Sequence, residues 1–131
     1  MTQVVFYSNW QMQCCGEPFR VGDAVRWTVG PANAEDKNWL RHLVPEGLDW
    51  YEEHHQDEDI TDTVEGVVDR IRAVWQDRQP ESCDSRVFVA VDGSEIADEL
   101  ESANGWEVES ESGGTSPHPG RFFEGYIVTL R

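Results

Sequence analysis

The chain has 131 residues, the length of one domain with a single core. Hydrophobic residues make up 38% and aromatics 11%, with six Trp, which excludes a disordered chain. The formal net charge of −16 sets up a field that repels nucleic-acid phosphate and anionic lipid, so neither is expected as a direct partner.

No apolar run approaches the roughly 18 residues of a membrane span. The opening Met1-Thr2-Gln3-Val4-Val5-Phe6 has neither a basic region nor a cleavage site, so a cytoplasmic protein is expected. Three Cys, two of them adjacent, make a poor disulfide framework and fit a reducing compartment. The charge is segregated. Residues 1–50 carry six acids against four bases, and residues 51–131 carry twenty against six. Two stretches hold no base: Glu52 to Asp69, with eight carboxylates, and Glu95 to Glu111, with seven.

In chain order, Val4-Val5-Phe6-Tyr7 is β-branched and aromatic and predicts a first strand ending near Asn9-Trp10. Gly16-Glu17-Pro18 is a turn, and Asp23 to Val29 a second strand closed by Gly30-Pro31. Asn33 suits the N-cap of a short helix with Trp39, Leu40 and Leu43 on its apolar face, stopped by Pro45 and Gly47. Leu48 to His55 reads as a strand or loop edge, and Gln56 to Asp62 as an acidic loop. Thr63 to Trp75 fits a helical period, but its valines and Gly66 favour a bulged strand. Gln76 to Ser85 is a loop, Arg86 to Val91 a strand, and Ser94 a cap for a short helix over Ile96, Ala97 and Leu100. Trp106 to Glu111 alternates as an exposed strand. Across the flexible Gly113–Gly120 loop it forms a hairpin with Phe122 to Leu130. The sum is a single α+β domain over residues 1–131: a mostly antiparallel curled sheet or small SH3-like or OB-like barrel, with one or two short helices.

The stretch Trp10-Gln11-Met12-Gln13-Cys14-Cys15-Gly16, the Val21-Gly22-Asp23 turn and the later Glu53-His54-His55 carry a resemblance. They resemble a family of small uncharacterised actinobacterial proteins whose domain has no known function. The resemblance implies a small cytosolic protein of a high-GC Gram-positive organism, with no activity, cofactor or functional residue to transfer.

Cys14, Cys15, His54 and His55 are four side chains of zinc-ligand type. Adjacent side chains in extended chain point to opposite faces, so a zinc site would more readily use one Cys and one His, completed by Cys83 or His118. The same residues would serve a thiol enzyme, but no cysteine-protease signature surrounds them. Asp57-Glu58-Asp59 fails the calcium-loop pattern: Asp62 stands where Gly is needed and Val68 where Glu is needed. There is no phosphate loop, dinucleotide fingerprint or nucleophile elbow.

Trp10, Trp27 and Trp75 sit in apolar patterns and are expected inside. Trp39, Trp50 and Trp106 stand beside acids. Aromatic rings among carboxylates suit an Arg-rich partner through charge pairing and cation–π contact. The expected function is therefore a non-enzymatic module that binds a basic protein through Trp50, Glu52, Glu53, Asp57, Glu58, Asp59 and Trp106. A small zinc or thiol protein built on Cys14, Cys15, His54 and His55, and a salt-adapted structural protein, are the alternatives.

Overall fold

The structure is a computed structural model. It describes residues 2–32, 40–53, 62–91, 93–107, 117–118 and 120–131, and of Cys15 the backbone alone. Its elements are β1 (Gln3–Ser8), α1 (Asn9–Cys15), β2 (Phe19–Arg20), β3 (Ala24–Pro31), β4 (Trp50–Glu52), β5 (Asp62–Gln76), β6 (Arg78–Pro80), β7 (Phe88–Ala90), β8 (Ile96–Leu100), β9 (Ser102–Ala103) and β10 (Phe122–Leu130). The main sheet runs β10-β1-β4-β3-β5-β8, and β5 also pairs with β10, so the sheet curls back on itself. It is mixed, because β1 and β4 run parallel while its other pairs are antiparallel.

The curl depends on β5. Its residues 62–67 pair with β3 and its residues 68–76 with β10, while residues 71–75 take β8 on the opposite edge. Gly66 stands where the partner changes. A Cβ there would lie 3.0 Å from the Arg131 carbonyl oxygen and 3.1 Å from Leu130 Cβ, so a glycine lets the crossing strands approach. Valine richness thus prevails over the helical period at Thr63–Trp75, as the strand reading expects.

Val5, Tyr7, Val29, Val64, Val68, Ile71, Trp75, Tyr126, Val128 and Leu130 form one core inside the curl; alternation holds on either side of an irregularity opposite Thr129 and Leu130, which switches the parity of β5 between Val68 and Ile71. Val4, Phe6, Val74 and Ile127 face outward and are covered by Leu40, Val44 and Leu48. Burial on both faces explains why Val4-Val5-Phe6-Tyr7 is an unbroken apolar run. The covering segment is tied down by Arg72, whose Nη1 donates to the Leu43 carbonyl at 2.8 Å. The exclusion of water there lowers the Arg72 pKa.

The fold corrects several expectations. The chain turns into helix α1 directly after β1, placing Cys14 and Cys15 on a helix. Trp10, expected inside, is 56% exposed, because α1 directs Gln11 and Met12 into the protein instead. Ile96 to Leu100 is strand β8, since pairing with β5 overrides the Ser94 cap signal. Ser94 accepts a hydrogen bond from the Asp77 amide instead. The expected helix after Asn33 falls largely on residues 33–39, outside the described residues; Leu40–Leu43 forms a turn. The expected strand at Trp106–Glu111 is described only at Trp106 and Glu107, which belong to no strand. No helix among the described residues is long and apolar enough to cross a membrane.

Candidate functional site

A cleft of about 490 Å³ opens between the Gly16–Phe19 segment and β3. Tyr7, Phe19, Asp23, Arg26, Trp27 and Glu52 are among its lining residues. Its volume lies within the range of small-ligand sites. Tyr7 reaches it from the end of β1 and Phe19 from β2, after the Gly16–Pro18 turn brings the chain back from α1. Gly16 is required there, because a Cβ would lie 2.7 Å from the Tyr7 hydroxyl and 2.8 Å from Met12 Cα. The rings form a connected set. Trp27 meets Tyr7 edge-on at 5.2 Å and Phe19 at 5.0 Å, and Tyr7 stacks on Phe19 at 6.0 Å.

Glu52 is the unusual member. It is 4% exposed, and glutamate is among the residue types least often buried. Its position follows from β4. Trp50 packs on the inner core and Tyr51 on the outer one, so the next residue again faces inward. The parallel register joins Val5 to Trp50 and Phe6 to Tyr51, which places Tyr7 and Glu52 one step further along the same two strands. A carboxylate at this depth has lost most of its water. Arg26, the cation lining the cleft, is on the exposed side of β3, where its Nε meets Glu65 at 3.2 Å. Asp23 accepts a hydrogen bond from the Arg20 amide at 3.0 Å, which fixes the turn at the cleft's edge.

Of the expected binding face, Trp50, Glu52 and Glu53 come together on and after β4. Trp50 is half-buried and donates from Nε1 to Gln3 at 2.5 Å. Glu53 is half-buried and accepts from Gln11 Nε2 at 3.4 Å. Asp57, Glu58 and Asp59 lie outside the described residues. Trp106 is 66% exposed; it follows Gly105, whose carbonyl is held by Gln13 of α1. Of the metal-type residues, Cys14 is exposed on α1. The Cys15 side chain, His54 and His55 lie outside the described residues. Among the described residues, no three His, Cys, Asp or Glu side chains gather as a metal site would require.

Tyr7 and Phe19 carry no mark in the sequence that separates a cleft wall from a core. Glu52 is legible: once Trp50 is taken as inward-facing, period-two alternation puts Glu52 inside as well.

Among the described residues, five arginines meet acids: Arg26–Glu65, Arg70–Glu99, Arg78–Glu124, Arg121–Asp77 and Arg131–Asp69. Against 26 acids these pairs leave most of the negative charge in place.

The model of a family of unknown function, DUF6578, matches residues 1–131. No curated protein and no solved structure matches the chain.

Proposed function

We propose that this chain, which belongs to DUF6578, is a binding module that takes a basic side chain of a partner protein into the cleft beside Glu52. The observation that carries the reading is a carboxylate at 4% exposure lining a cleft walled by Tyr7, Phe19 and Trp27. A guanidinium or ammonium group there gains a partly desolvated counter-charge and aromatic faces together. The net charge of −16 adds long-range attraction for a basic surface and speeds its encounter. No phosphate-binding motif or nucleophile elbow competes with this reading.

Calorimetric titration of the chain with an oligo-arginine peptide tests it. Binding should weaken as salt rises. It should also fall about 30-fold or more in Glu52→Gln, the scale of truncating one member of a buried charge pair. Trp27→Leu, which keeps the site apolar but removes the ring, should weaken binding without abolishing its salt dependence. Circular dichroism confirms that each variant folds. Equal binding by wild type and a folded Glu52→Gln would refute the cleft as the site.

A further inference from the structure

On the reading that the cleft takes a basic side chain, we infer that it selects the guanidinium of an arginine over the ammonium of a lysine. The net charge of −16 does not make this choice, because it attracts both cations alike at long range. The selection comes from the shape and chemistry of the lining.

The ring planes in the lining run in two directions. Tyr7 and Phe19 lie within 24° of parallel, and Trp27 stands at 87° to Tyr7 and 63° to Phe19. Flat walls near a right angle complement a flat group, which lies along one wall and turns its edge to the other. A guanidinium is such a plate. It stacks on aromatic faces, and its own two faces call for no hydrogen bond. An ammonium is compact and directs its three N–H groups outward. Those it turns toward rings give up water without gaining an acceptor.

Glu52 favours the same cation. Its carboxylate is 4% exposed, so a cation that reaches it must leave its own water behind. A guanidinium is the more weakly hydrated of the two, and it meets a carboxylate through two parallel N–H···O bonds. An ammonium approaches the same carboxylate as a point charge and surrenders a tighter hydration shell. The guanidinium N–H groups that Glu52 does not take lie in the plane of the plate. Asp23 and Thr28, which also line the cleft, add acceptors for them.

Calorimetric titration of the full chain with peptides of equal charge separates the cations. The probes are hexa-arginine, hexa-lysine, and hexa-arginine with asymmetrically dimethylated guanidinium groups. Hexa-arginine should bind at least about tenfold tighter than hexa-lysine. Dimethylation keeps the charge but blocks the two-bond match, and should remove most of that advantage. Glu52→Gln should bring the arginine and lysine affinities together, and Trp27→Leu should lower arginine binding more than lysine binding. Circular dichroism confirms that each variant folds; should Glu52→Gln misfold, the dimethylated peptide on the wild type decides. Equal binding of hexa-arginine and hexa-lysine, lost alike in Glu52→Gln, would overturn the selectivity and leave the cleft as the site. An arginine preference that persists in folded Glu52→Gln would place the selectivity elsewhere and overturn it too. Binding of neither peptide would overturn both the selectivity and the cleft as a site for basic side chains.

Discussion

Tyr126 shows how one side chain can couple this fold to pH. Its hydroxyl accepts from the Gly105 amide and donates to Glu107, each at 2.9 Å. Burial, and then the Glu107 carboxylate, push its pKa well above the ordinary tyrosine value of 10.0. The folded chain therefore keeps this proton at a pH where the unfolded chain gives it up. The resulting stability is complete below about pH 10 and is lost as pH rises further, at up to about 1.4 kcal/mol per pH unit. Tyr126→Phe should remove that alkaline loss. At neutral pH it should cost about 1–3 kcal/mol, because the Gly105 amide loses its acceptor. Urea unfolding at pH 7 and at pH 11 checks both effects. The exposed Arg70–Glu99 pair, by contrast, is worth little.

At the scale of elements, β10 shows where sequence reading stops. Its existence follows from Tyr126, Val128 and Leu130 alternating on one face, but the same parity fails toward its start. Phe122 shares the parity of that face, yet it is 36% exposed, and Phe123 is buried instead. The cause is an irregularity between Phe123 and Gly125 in the pairing with β5, which leaves Glu124 out of register. Gly125 adopts φ +146°, and a Cβ there would collide with the Tyr7 carbonyl and lie 2.8 Å from Ser8 Cα. Gly125→Ala should therefore destabilise the chain by at least about 2 kcal/mol, measured as a lower urea midpoint. Strands β1, β3, β5 and β7 were legible because β-branched and aromatic residues cluster in them. Helix α1 and strand β8 were not. A seven-residue helix without a side-chain cap leaves little local signal, and β8 is held by its pairing with β5. The cleft was half legible. Its acid, Glu52, stood inside a conspicuous acidic run, whereas Tyr7 and Phe19 reach it only through tertiary packing.

Across the whole molecule, the 26 acids and ten bases set the response to ionic strength. Self-repulsion opposes the compact state, and added salt screens it within about 10 Å at 0.1 M. The melting temperature should thus rise by a few degrees between low and moderate sodium chloride, as read by calorimetry. A fall with salt would mean that the five ion pairs outweigh the excess negative charge. The long strand β5 has a different consequence. It is the common neighbour of β3, β8 and β10, so residues 24–31, 96–100 and 122–130 must all find one central segment before the sheet can curl. Such distant encounters cost loop entropy before they yield contacts, which places refolding on the millisecond-to-second scale. A stopped-flow trace finished within microseconds would mean that β5 is not the piece around which the chain assembles.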